Sequence, residues 1–463
     1  MQAWLRISLL LWVFGFFREF RPSEPFVTEY LSGPWHNITA EQVNKEIYPF
    51  GTYAVLAQLA VIFLITDILR YKPIIILSAC TGIILFAILL WTNLIWELQI
   101  GQVFYGTFMA TEVAYYTYIY AKVDKERYQI VTGHTRSAIL CGKFLGGVFA
   151  QVFVSTELMD YKDLHYVSFG SQIISLCIAL LLPPVRKSLY FYTDSGSELL
   201  DVTAKNNAED QNVQTEVPPT KGTISVSTSV SNGISTMSPR FSWTRAYELL
   251  INHIVSAYTN RTVIRWSFWW ALATCGQVQV ISYVQFLWKE IEPANESFYN
   301  GGVEAIVTLL GAGSAMLAGI AKTSHHKKWH MWILTVCSLF MGVFTIVSSL
   351  TNSVWIAYVM YILFGVFYFF IITTASAIVA ENLSEDSFGL IFGINTLVAL
   401  VLQTILTVVV VTDAGFGLQP REQFFVYGCY FIVLAIMYFG AVIIRFILNK
   451  LQCCDNGNSA IQE

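Results

Sequence analysis

The sequence predicts an all-α membrane protein of twelve transmembrane helices in two six-helix halves. Three observations lead there: long apolar runs recur from end to end, a polar insert divides them six and six, and Lys and Arg gather in alternate loops. Of the 463 residues 55% are hydrophobic and 13% charged, with mean hydropathy +0.56. A water-soluble domain cannot hide that much apolar surface, so lipid is the solvent for most of the chain. A spanning helix needs about 20 apolar residues and a signal-peptide core only about 7–15, so the length of the runs decides the class.

The first six runs lie near 7–20 with an extension through 27, then 50–65, 73–94, 103–120, 138–154 and 166–182. The second six lie near 263–288, 303–320, 331–350, 354–380, 389–411 and 424–446. This gives a first half at 1–184, a linker at 185–260, a second half at 261–450 and a tail at 451–463. The linker is rich in Ser, Thr, Asn and Asp between 193 and 238. Such a stretch cannot bury enough apolar surface to fold alone, so most of it is expected to be disordered. Its end carries Trp243, Leu249, Leu250, Ile254 and Val255 at helical spacing, which fits either an interfacial helix or an extension of the seventh span.

Orientation follows from the basic residues of the short loops. One set of loops holds Arg70, Lys72, Lys122, Lys125, Arg127, Arg186, Lys187, Lys322, Lys327, Lys328, Arg445 and Lys450, whereas the other holds Lys45, Lys162, Lys289 and Arg421. Both termini and the linker are therefore expected in the cytosol. The glycosylation sequons at Asn37 and Asn295 then face outside, and those at Asn260 and Asn382 fall inside and stay bare.

The net charge of −4 without a basic stripe excludes a nucleic-acid partner. Cys80, Cys141, Cys177, Cys275, Cys337 and Cys429 lie in or beside apolar runs without metal-ligand spacing and read as small hydrophobes. Cys453 and Cys454 follow the last run, as palmitoylation sites or as free thiols. His325, His326 and His330 sit in a basic loop that solvent explains. With no nucleophile, metal or phosphate-loop constellation, neither an enzyme nor a cofactor is expected.

A carboxylate at the centre of a spanning helix costs about 2.5–3.5 kcal/mol, so an intramembrane acid marks a candidate site. Glu24 stands between Pro22 and Pro25, where the prolines interrupt the first span and free backbone carbonyls. It either lines the site or pairs with Arg18 or Arg21 to close an outer gate. Glu112 lies inside the fourth span with Tyr105, Phe108, Tyr115 and Tyr116 on its face, a carboxylate beside aromatic rings that suits a cationic heteroaromatic solute. Glu304 opens the eighth span, where helix capping also favours an acid. Lys143 and Arg265, the nearest basic residues, can snorkel to the inner surface, which leaves the midplane acidic and without a compensating cation.

Two six-span halves joined by a cytosolic insert resemble the major facilitator layout, in which the halves rock about a midplane site. Thr66-Asp67-Ile68-Leu69-Arg70-Tyr71-Lys72-Pro73 resembles the acidic-basic loop of that superfamily. More specifically, the chain resembles the folate and thiamine carriers from about residue 14 to 446, the insert excepted. The resemblance rests on Arg21-Pro22-Ser23-Glu24-Pro25-Phe26, Tyr30-Leu31-Ser32-Gly33-Pro34, Glu46-Ile47-Tyr48-Pro49 and Trp266-Ser267-Phe268-Trp269-Trp270. Tyr283-Val284-Gln285, Leu287-Trp288, Tyr299-Asn300-Gly301 and Phe392-Gly393-Ile394-Asn395-Thr396 add to it.

The resemblance implies which branch is nearer. Glu112, Gly365 and Gln403 stand where the folate branch carries the three cationic groups that hold its anionic substrate, and the thiamine branch has Glu at the first and Gln at the third. Glu24, Tyr115 and Glu304 also match the thiamine branch, whereas Gly51, Phe86 and Ser282 stand where that branch has Trp, Trp and Asn. The implied function is thiamine uptake across the plasma membrane by a monomer working by alternating access. Glu112 and Glu304 would bind the cation, Tyr115 and Phe86 would stack on its rings, and Glu24 would shape the site or carry a coupling proton. Tyr116, Ser282 and Gln403 complete the expected lining. The alternative in the same family is a folate or other organic-anion carrier, which requires Arg136 or Lys143 to reach the substrate.

Overall fold

The computed structural model describes residues 3–185 except 37, 70, 113, 116, 117 and 119–127, together with 192–193, 240–241, 243–293, 299–320, 330–383 and 388–459. The first half holds α1 (Ala3–Glu19), α2 (Val27–Leu31), α3 (Tyr48–Ile68), α4 (Lys72–Trp91), α5 (Ile95–Ala110), α6 (Tyr128–Ser155) and α7 (Tyr161–Leu181). A two-residue antiparallel pair, β1 (Tyr192–Thr193) with β2 (Arg240–Phe241), and α8 (Trp243–Thr259) follow. The second half holds α9 (Arg261–Ile291), α10 (Asn300–Ile320), α11 (His330–Leu350), α12 (Val354–Glu381), α13 (Phe388–Val410) and α14 (Pro420–Ser459). Eight of these helices, α4, α6, α7 and α10 to α14, are long and apolar enough by themselves to cross a membrane. The broken pair α1–α2 with α3, α5 and α9 completes the twelve spans of the major facilitator fold.

The linker's end is a separate helix rather than an extension of the seventh span. Asn260, in extended backbone, divides α8 from α9 and caps α9 by accepting from the Thr262 amide at 2.9 Å. Its own amide donates to Asn382 Oδ1 at 3.3 Å, so two of the four sequon asparagines bond each other.

The prolines act on the first span as the sequence predicts. Beyond α1 the chain makes a 3-10 turn at Glu24–Phe26 before α2 begins. The carbonyls around the break are satisfied from both halves. Ser171 and Gln172 of α7 donate to Phe17 O and Arg18 O at 2.6 and 3.1 Å. Across the seam Gln285 of α9 donates to Glu24 O and Asn300 of α10 to Pro25 O, both at 3.1 Å.

These bonds belong to a wider closure at the end predicted to face outside. Thr28 N donates to Gln285 Oε1 at 3.2 Å, Lys289 bonds Ser32, and Tyr48 packs edge-on to Phe286 at 5.1 Å. Lys45 pairs with both Glu41 and Asp413, at 2.9 and 3.1 Å, and these bonds hold its ammonium above the usual lysine range. On one side of the seam α6 and α10 meet at glycines: a Cβ on Gly147 would come within 2.7 Å of Gly301 O. On the other, α3 and α13 meet where Gln403 donates to Thr52 at 3.4 Å. The described conformation is closed at that end.

Candidate functional site

The break in the first span gathers charge. Arg18 and Glu19 end α1, Arg21 and Glu24 follow, and Pro22 keeps the helix from carrying them apart. Arg18 Nη1 lies 2.5 Å from Glu19 Oε1, its Nη2 donates to Phe108 O at 2.8 Å, and its Nε donates to Ser78 Oγ at 3.3 Å. Arg21 Nη2 lies 3.0 Å from Glu19 Oε2 and 3.1 Å from Glu24 Oε2. Lys143 Nζ of α6 stands 3.7 Å from Glu19 Oε2, and Arg18 Nη1 stands 3.9 Å from Glu112 Oε2. Buried charges survive in such a place only when paired, and Arg18, Glu19 and Arg21 each hold a hydrogen-bonded ion pair, although Arg21 Nε is left without a partner.

This overturns the expectation of an acidic midplane without cations. Lys143 does not snorkel inward but joins the acids, and Arg18 and Arg21 are buried beside them. The pairing of Glu24 with Arg21, one of the two readings of that acid, is present. The rings beside Glu112 differ from expectation too. The buried face of Phe108 already carries Arg18 at 4.3 Å and Arg21 at 5.3 Å, so the protein's own cations fill part of the aromatic box.

What remains accessible is a subset. The Glu24 side chain is 46% exposed, Glu112 30% and Lys143 48%, whereas Arg18, Glu19 and Arg21 are buried. Glu304, half-buried on α10, accepts from the Tyr361 hydroxyl at 2.8 Å and lies within electrostatic reach of Glu24 and Lys143 on the other half. Lys143 is likewise within reach of Glu19, Glu24, Arg21 and Glu112. Half-buried Tyr105 adds a ring within reach of Glu19, Arg21, Glu24 and Glu112. The seam therefore brings Glu24 and Lys143 from one half within reach of Glu304 from the other, with Glu112 in turn within reach of Lys143.

The other candidates sit elsewhere. Tyr115 is buried, donates to Leu11 O at 2.9 Å and packs on Phe14, where it ties the fourth span to the first. Phe86 is buried with its ring against His165. Gln403 is buried in the seam with Thr52. Ser282 is half-buried on α9 beside Tyr283. Tyr116, Asn37 and Asn295 lie outside the described residues, as do Arg70 and the Asp67 side chain of the acidic-basic loop.

Sequence reasoning did not make Arg18, Glu19 and Arg21 a charged group within the site, nor Tyr361 or Asn300 part of it; Arg18 and Arg21 entered only as gate partners of Glu24, and Lys143 only under the anion-carrier alternative. A signal for the first three was available: three charged residues within four positions at the end of an apolar run, just before a proline.

Fold and site together define a multi-pass membrane transporter of a small molecule. Over residues 2–426 the chain matches the reduced folate carrier family, and it belongs to that family. It is similar to thiamine transporter 1 of Mus musculus, at 36% identity over 100% of this chain and 94% of that one. It is also similar to thiamine transporter 2 of Homo sapiens, at 37% identity over 94% and 89%. Among solved structures a POT family transporter in complex with a thioalcohol-conjugated peptide covers 93% of this chain and 95% of its own at 12% identity, with a TM-score of 0.62, which shows the shared fold.

Proposed function

We propose that this protein takes up thiamine across the plasma membrane by alternating access. The observation that carries the reading is the charge at the seam: among the described residues Glu19, Glu24, Glu112 and Glu304 face Arg18, Arg21 and Lys143. Glu24 and Glu112 keep part of their carboxylate surface accessible beside these pairs, where a cationic solute can be held. The relatives named thiamine transporters support the same choice.

In this reading Glu112 and Glu304 hold the cation from opposite halves, so binding draws the halves together, and Glu24 shapes the site or exchanges a coupling proton. Tyr105 supports the stacking role best, because it keeps exposed surface within reach of the acids while Tyr115 and Phe86 are buried. Tyr116, Ser282 and Gln403 are assigned to the lining of other states of the cycle. Glycans on Asn37 and Asn295, a monomeric carrier and cytosolic termini belong to the same proposal.

The test is uptake of labelled thiamine by cells expressing the chain. Saturable uptake displaced by unlabelled thiamine and not by a reduced folate is expected. Saturable uptake of labelled reduced folate with none of labelled thiamine would instead favour the anion carrier, with Lys143 as the group that reaches the substrate.

A further inference from the structure

Lys143 has a place that neutralising Glu19 does not explain. Lys143, Gly147 and Gln151 form a stripe at four-residue spacing along one face of α6. Two members of the stripe touch the second half: Gly147 against Gly301 and Ala305, and Gln151, whose Oε1 accepts from Gly302 N at 3.0 Å. Lys143 lies one turn further from the closed end on the same face, and there its side chain is 48% exposed. The space it enters is thus between the halves, and Glu304, one turn along α10 from Gly301, faces it.

Its hold on the protein is loose. Nζ stands 3.7 Å from Glu19, whereas Arg18 and Arg21 already serve that carboxylate at 2.5 and 3.0 Å. An ammonium so little engaged repels a plain cation arriving at Glu24, Glu112 and Glu304. It also attracts an anionic group on the same solute.

We infer that Lys143 is a specificity-determining residue, which weakens the site's hold on plain cations and admits solutes that carry a phosphate monoester beside a cationic ring. A single flexible ammonium with three donors suits a terminal phosphate. The inference rests on the transport reading of the same site.

The test compares uptake of labelled thiamine and labelled thiamine monophosphate by the wild-type chain, Lys143→Gln and Lys143→Arg at matched surface abundance. At a separation of ~7 Å and an effective dielectric of ~20, discounted for exposure, Lys143→Gln is expected to lower the half-saturation for thiamine about three- to tenfold. The same variant should lower uptake of the monophosphate at least about tenfold, with Lys143→Arg keeping the wild-type ratio. In the wild-type chain alone, excess monophosphate should compete with thiamine at concentrations within about tenfold of thiamine itself. Saturable thiamine uptake with no competition by the monophosphate, or with an unchanged ratio in Lys143→Gln, overturns the inference alone. A wild-type chain that carries neither solute overturns the transport reading and the inference with it.

Discussion

Arg21 Nη2 reaches Glu24 Oε2 at 3.1 Å from a buried position, while the carboxylate it holds stays 46% exposed. The cation fixes the acid from behind without covering it. Arg18 stands in the same relation to Glu112, at 3.9 Å. Glu24 is therefore oriented by a close ion pair and still accessible, and Glu112 stays accessible beside a more distant guanidinium.

Arg18→Met should destabilise the protein, because it leaves Glu19 buried with a weakened set of partners. Removing one member of a buried pair costs about 3–5 kcal/mol, and Arg21 keeps the loss near the lower figure. A melting temperature several degrees lower in detergent is expected, with partial recovery in the double variant Arg18→Met/Glu19→Leu. Equal melting temperatures for Arg18→Met and wild type would remove the structural role given to the pair.

Gly147→Val should block outer closure. The new Cβ would meet backbone at Gly301, which cannot swing aside as a side chain can. Overpacking of this kind costs about 1–3 kcal/mol, enough to lower uptake about tenfold. Binding of thiamine from the outside should persist while uptake falls. Transport at the wild-type rate would show that the glycine contact is not required for the cycle.

Asn300→Ala should loosen the same closure from the other direction. The variant removes the donor to Pro25 O and to Glu29, at 3.1 and 3.3 Å, and leaves two buried acceptors short of a partner. A cysteine placed at Ser32, which bonds Lys289 across the seam, should react faster with a membrane-impermeant thiol reagent in Asn300→Ala than in the parent. Unchanged labelling rates would count against the gate.

How far the sequence could be read depended on the range of the interaction. Span length and loop charge are local properties, and they place the helices; the two prolines likewise announce the break after α1. Which helix folds over which is not local. Helical spacing puts Tyr115 on the broad face of Glu112, but the hydroxyl meets Leu11 O of α1, a contact that no spacing within the fourth span encodes. Lys143 reads as a snorkelling residue until α6 is seen between α1 and α10, with the glycines at 147 and 301 fixing the face it shares with Glu304. The expectation of uncompensated acids failed for the same reason. Arg18 and Arg21 lie beside the proline break in sequence, yet only the fold turns both guanidinium groups over the Phe108 ring.

The most direct test of the cation site is thiamine binding to purified wild-type protein and to Glu112→Gln, measured by titration calorimetry with melting temperature as the control. A charged hydrogen bond is worth about 1.5–3 kcal/mol, so affinity should fall about ten- to a hundredfold while the melting temperature holds. Equal affinity in the two proteins would contradict the assignment of Glu112 and, with it, the case for a cationic solute.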